Sequence, residues 1–142
     1  MRTFKVISVV DGVPTFAKPL TEIMLSCVKG GAIKVMSPLE YITDRQRRWF
    51  KGVCLRDLVK NDENGETVEW WDIQVKRRCA GLKYLKKEII IIERDGVLLP
   101  VGRLTTKGVG KKNMSLFMEE ILSVSMTEGW DIAPPDPELR TT

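Results

Sequence analysis

The segment Thr43-Asp44-Arg45-Gln46-Arg47-Arg48-Trp49-Phe50-Lys51-Gly52 holds four cations within seven residues. At about 100° per residue, the first half of a helix here divides into two arcs. Trp49, Phe50, Val53 and Cys54 cover one arc; Arg45, Arg47, Arg48, Lys51 and Arg56 cover the other. Like charges at i,i+4 destabilise a helix, and Arg45 and Arg47 near its start oppose the dipole. A polyphosphate partner turns that cost into affinity, because each phosphate contact releases counterions. The same residues also fit a solvated helix face packed on its aromatic side, with Asp44 and Asp57 offsetting charge. In the second half Leu55, Leu58 and Val59 fall on the basic side, so that half is expected to be buried all round.

A second candidate is the loop Thr105-Thr106-Lys107-Gly108-Val109-Gly110-Lys111-Lys112-Asn113, rich in glycine, hydroxyls and lysine. Helix N-termini attract anions, and amides beside glycine approach phosphate closely. Lys111 and Lys112 just before a helix start are unfavourable alone and sensible beside a phosphate. The Walker spacing GxxxxGK[ST] is absent, so nucleotide hydrolysis is not supported. The alternative is an ordinary surface loop. A third cluster, Lys76-Arg77-Arg78 with Lys83, Lys86 and Lys87, is explained by a helix C-terminus unless it shares the face of the other two. Trp70 and Trp71 could stack on bases, although tryptophans at helical spacing more often pack in a core.

The 142 residues contain no histidine. That excludes Ser-His-Asp and Cys-His catalysis, an HExxH zinc site and a facial-triad iron centre. Cys27, Cys54 and Cys79 form no CxxC pair and read as reduced, mostly buried thiols. No cofactor or metal is expected. Asp62, Glu63, Glu66, Glu69 and Asp72 leave room for a metal-dependent nuclease, but no PD…(D/E)xK arrangement is present.

The formal charge of +4 conceals strong segregation. Residues 1–40 carry +2, 41–60 carry +4, 61–73 carry −5, 74–112 carry +8 and 113–142 carry −5. A basic middle between acidic segments is the pattern of a polyanion-binding face. Met1-Arg2-Thr3-Phe4-Lys5-Val6 is too charged for a signal peptide, and no run approaches the ~18 apolar residues of a membrane span. A soluble, cytoplasmic protein is therefore expected.

The elements that must position these residues are set by periodicity. Thr3–Val10 reads as a strand ended by Asp11-Gly12-Val13-Pro14, residues 16–29 as a helix stopped by Gly30-Gly31, and Ala32–Met36 as a second strand. A long helix is expected over 43–60. Two capping boxes compete for its start, Ser37-Pro38-Leu39-Glu40 and Thr43-Asp44-Arg45-Gln46, with Thr43 slightly preferred. A further helix spans 67–80, with Val68, Trp71, Val75 and Cys79 on one stripe and Gly81 as its stop. Glu88–Glu93 and Val97–Val101 around Arg94-Asp95-Gly96 form a hairpin. A last helix covers 113–128. The expected fold is α+β in a single domain: a strand–helix–strand opening, two central helices, a β-hairpin and a C-terminal helix. Residues 1–130 form the domain, and 131–142 an extended or mobile, proline-rich acidic tail.

At these residues the chain resembles the phage NinB (Orf-type) recombination proteins. Residues 43–52 resemble that family's S/T-x-x-Q-[NR]-[RK] helix, Thr105-Thr106 through Met114 and Phe117 its S/T-T…M-x-x-F helix, and 129–137 its proline-rich ending. The element order agrees as well. The resemblance implies a homodimeric α+β protein that binds single-stranded DNA and junctions, contacts single-strand-binding protein, and assists loading of a recombinase or annealing protein without catalysis. By position it implies DNA contacts at Gln46, Arg47, Arg48, Thr105 and Thr106. Arg45, Lys51, Lys107, Lys111 and Lys112 are added from their charge and placement alone. The chain departs from the family in having Gln46-Arg47 for Gln-Asn and an earlier tryptophan. The expected protein is thus a phage-type recombination accessory in a bacterial cytoplasm, not an enzyme. The alternatives are a dimeric interaction module or a metal-dependent nuclease.

Overall fold

The computed structural model describes residues 3–25 and 27–140. Met1 and Arg2 of the opening hexapeptide, Ser26 of the expected first helix, and Thr141 and Thr142 of the expected tail lie outside them. The fold is α+β, and the chain divides into two compact units, Met1–Val35 and Met36–Thr142. Among the described residues no helix is long and apolar enough to cross a membrane.

The first unit is a hairpin of β1 (Val6–Val10) and β2 (Val13–Phe16), leading into the short helix α1 (Leu20–Leu25). Asp11-Gly12 does not end the strand region. It turns the chain back with positive φ at both positions, which matches strand twist in two-residue hairpins. The second strand of the opening therefore lies at Val13–Phe16, ahead of the helix, and not at Ala32–Met36, which finds no partner strand among the described residues. Because β2 consumes Phe16, the helix expected over 16–29 shrinks to α1.

The second unit is built on one long helical run. It opens as α2 (Pro38–Trp49), widens into a π-helical turn over Phe50–Cys54, and closes as α3 (Leu55–Lys60). The first capping box wins: Ser37 Oγ accepts the Glu40 amide at 3.1 Å and Glu40 Oε2 accepts the Ser37 amide at 3.0 Å, with Pro38 at the first helical position. Thr43 lies inside the helix, its hydroxyl donating to the Leu39 and Glu40 carbonyls. Ser37→Ala should lower the unfolding free energy by about 1 kcal/mol, measured by urea denaturation. An unchanged midpoint would mean the box contributes nothing.

The π turn corrects the expectation for the second half of this run. Such a turn inserts one extra residue and so shifts the phase of every later position in the helix. Counted with that insertion, Leu55 and Leu58 fall about 40° and −20° from Phe50. Both are buried with Phe50, while Arg56 and Lys60 are exposed, so this half is amphipathic and not buried all round.

Helix α4 (Val68–Arg78) is capped by Thr67, whose hydroxyl accepts the Trp70 amide. It buries Val75, with Cys79 just beyond its end, but Val68 is exposed. Gly81 is not the stop. Ala80 takes the left-handed conformation and Gly81 opens α5 (Gly81–Tyr84). A Cβ at Gly81 would lie 2.2 Å from the Lys76 carbonyl oxygen, so close backbone approach requires glycine there. The hairpin β3 (Lys86–Arg94) and β4 (Val97–Thr105) pairs Arg94 with Val97 around Asp95-Gly96 and extends to Lys86 opposite Thr105. Finally α6 (Lys111–Glu128) ends at left-handed Gly129. It begins at Lys111, so Lys111 and Lys112 sit in its first turn and not before it. Phe50 meets Phe117 edge-on at 5.3 Å in the core, together with Met114, Met118 and Ile121.

Residues 131–140 are not a free tail. Leu139 is 4% exposed, and a 3-10 turn spans Pro137–Arg140. Trp49 Nε1 donates to the Ala133 carbonyl at 3.0 Å, and Arg140 binds Glu119 at 2.7 and 3.1 Å. The Arg140 hydrogen bond holds the Glu119 carboxyl below its ordinary pKa.

Candidate polyanion-binding cleft

The basic helix and the Lys-Gly loop meet. Arg47 at the end of α2 and Lys51 in the π turn form one wall of a cleft of about 350 Å³. The other wall is the root of the long hairpin and the loop after it: Arg103 and Thr105 on β4, then Thr106, Lys107 and Gly108, with Glu88 on β3. Local chemistry sets this wall. The Thr105 hydroxyl accepts the Lys107 amide at 3.1 Å, and Gly108 has φ +74°, so the loop turns sharply above the strand. A Cβ at Gly108 would lie 3.3 Å from Lys86 Nζ, which places a further cation beside the loop.

The electrostatics are one-sided. Arg103 is ion-paired with Glu88 across the hairpin. Arg47, Lys51 and Lys107 have no carboxylate within ion-pair distance among the described residues. Four cations thus face one carboxylate. Thr106 is buried yet contributes to the wall. Such an arrangement offers charge and hydroxyl donors to the oxygens of a phosphodiester.

Not every residue singled out by sequence belongs to this cleft. Gln46 is 0% exposed, its side-chain amide donating to the Leu139 carbonyl at 2.7 Å, Ser115 Oγ at 3.0 Å and the Lys111 carbonyl at 3.3 Å. Buried in this way it cannot reach DNA; it ties three segments together. Arg45 and Arg48 look away from the cleft, into a second groove with Arg56. Arg48 pairs with Asp44, and Arg45 with Asp136 and Glu138. The Glu138 hydrogen bond is the chief cause of the raised Arg45 pKa. The single basic arc read from sequence is therefore split between two grooves. Lys111 and Lys112 are not among the cleft's lining residues.

Arg103 and Glu88 line the cleft and were missed as site residues by sequence reasoning. A signal existed: counting outward from the Arg94–Val97 turn pair along the hairpin register reaches Glu88 opposite Arg103. The third basic cluster divides. Lys86 lies beside Gly108 of the cleft's loop without lining the cleft, whereas Lys76 is buried, donating to Asp72 at 2.7 Å and the Leu104 carbonyl at 3.0 Å.

The other candidate groups have structural roles. Trp71 stands edge-on to Trp70 at 5.1 Å and to Trp130 at 5.7 Å. Its indole donates to Asp62. The Asn64 amide chiefly, with that indole and the Glu66 amide, holds the Asp62 carboxyl below its ordinary pKa. Among the described residues no three Cys, Asp or Glu side chains gather as a metal-holding group. Burial raises the thiol pKa of Cys54 and pushes that of Cys79 up to about 12, while Cys27 is exposed. Comparison with family models, curated proteins and solved structures returns no match.

Proposed function

We propose that this chain binds single-stranded nucleic acid through the cleft between the α2–π turn and the β4–α6 loop. In this reading it acts as a phage-type recombination accessory that assists loading of a recombinase or annealing protein in the host cytoplasm. The observation that carries the reading is the convergence of Arg47, Lys51 and Lys107, three cations without ion-pair partners among the described residues, around one cleft. Packing them together without a ligand costs repulsion, which a phosphate relieves. Among the described residues no aromatic side chain lines this cleft. Recognition is therefore of the backbone and tolerant of base sequence.

The test is a titration of a labelled oligothymidylate against salt. Four cleft cations on single-stranded phosphates give a log–log slope of about −3. A slope near zero sinks the reading. Comparison with duplex and with RNA of equal length defines the preference.

A second reading, a dimeric interaction module, is favoured by the long hairpin. Ile89, Ile91 and Leu98 share one of its faces and are 76%, 64% and 69% exposed. A two-stranded hairpin is marginal alone and gains stability by being covered. Homodimerisation is compatible with the first reading. Light scattering with and without oligonucleotide separates them, because only the first adds a nucleic-acid-bound species.

A further inference from the structure

Resting on that reading, we infer that the groove between α2 and the 131–140 segment is a second phosphodiester site, occupied by the chain's own carboxylates until nucleic acid displaces them. The groove has a volume of about 430 Å³, with Arg45, Arg48 and Arg56 on the helical side and Ala133, Pro134 and Asp136 opposite. Arg45 directs one guanidinium nitrogen at Asp136, 2.8 Å away, and another at Glu138. Two carboxylates on one guanidinium mimic the paired oxygens of a phosphate, the group that the arginine fork fits best.

The segment's anchorage is separate from these ion pairs. It is held by buried Leu139, by Gln46 Nε2 on the Leu139 carbonyl, by Trp49 Nε1 on the Ala133 carbonyl, and by Asp57, which accepts the Ala133 amide at 3.0 Å. The Asp136 and Glu138 side chains are 67% and 53% exposed. Arg45 is 22% exposed, but its two carboxylate partners are solvated and screened by salt, which limits what holds them on the guanidinium. The acids can therefore leave Arg45 while the backbone stays docked. The groove and the cleft are lined by different residues of one helical run, so a strand held in the cleft has a second row of cations within the same run.

The experiment compares the wild-type chain with Asp136→Asn/Glu138→Gln, using the labelled oligothymidylate at several salt concentrations. The variant should bind about fivefold more tightly, with a slope steeper by about 0.7, the increment of one added phosphate contact on a single strand. Removing the same two charges at the hairpin tip, Glu93→Gln/Asp95→Asn, controls for net charge and should change affinity less than twofold. Adding Arg45→Ala should cancel the gain in the groove variant. Melting curves should be unchanged, because Leu139 and its hydrogen bonds remain. Wild-type binding that the groove variant leaves unchanged or weakens, or that the tip variant improves equally, overturns the inference alone. Absence of binding by wild type and groove variant together overturns the proposed function and the inference with it.

Discussion

Reversing two charges, Arg47→Glu with Lys51→Glu, is expected to lower affinity for a single-stranded oligonucleotide by about 100-fold or more at moderate salt. Each lost phosphate contact removes a counterion-release term, and each new carboxylate repels the strand, so two reversals total about 3 kcal/mol. The fold should tolerate the change. Arg47 is only half-buried, Lys51 is exposed, and neither has an ion pair among the described residues to lose. Substitutions away from core and caps fall within about 0.5 kcal/mol. Fluorescence anisotropy reads the affinity, and a thermal melt checks the fold.

The neighbouring Arg48→Glu is the informative contrast. It removes the pair with Asp44 and places like charges at i,i+4, which costs a few tenths of a kcal/mol of stability. It faces the other groove, so its effect on binding should be several-fold smaller than that of the double reversal. Equal losses for the two would mean that the helix binds as an undivided cationic rod, and that the cleft has no special part in it.

The range of the forces involved decides which features were legible in the sequence. The Asp95-Gly96 turn and its hairpin could be read because two-residue turns are decided by local backbone preference. The segregation of Trp49 and Phe50 from Arg47 and Lys51 could be read because helical period sets it. The Ser37 and Thr43 boxes are locally near-equivalent, and proline at the first helical position went to the one that was not preferred. The π turn at Phe50–Cys54 has no local signature, yet it alone brings Leu55 and Leu58 onto the Phe50 side. The docking of residues 131–140 rests on contacts distant in sequence, from Arg140 with Glu119 to Trp49 with Ala133. Composition alone made that stretch look free. The cleft itself was half legible: its loop and helix were named, but Arg103 required the hairpin register to be carried to its root.

Gln46 gives the sharpest separation of structure from binding. Its amide nitrogen reaches three acceptors, of which the Leu139 carbonyl and Ser115 Oγ are the shorter contacts. Gln46→Ala removes these hydrogen bonds, leaving the Leu139 carbonyl with Ser115 Oγ as its donor at 3.2 Å, and opens a cavity between α2, α6 and the 131–140 segment. At about 1 kcal/mol per lost hydrogen bond plus the cavity, the expected loss is about 3 kcal/mol, a large share of a typical domain's stability. Gln46→Met should cost less, about 1–2 kcal/mol, for two reasons. It fills the space, and it removes Oε1, which has no hydrogen-bond partner among the described residues and already carries a desolvation penalty. Urea denaturation gives the free energies. Oligonucleotide affinity, measured where each variant is fully folded, should stay within twofold of wild type, because the side chain is wholly enclosed. An unchanged denaturation midpoint with lost binding would reverse the assignment and return Gln46 to the nucleic-acid contact that its place beside Arg47 suggests.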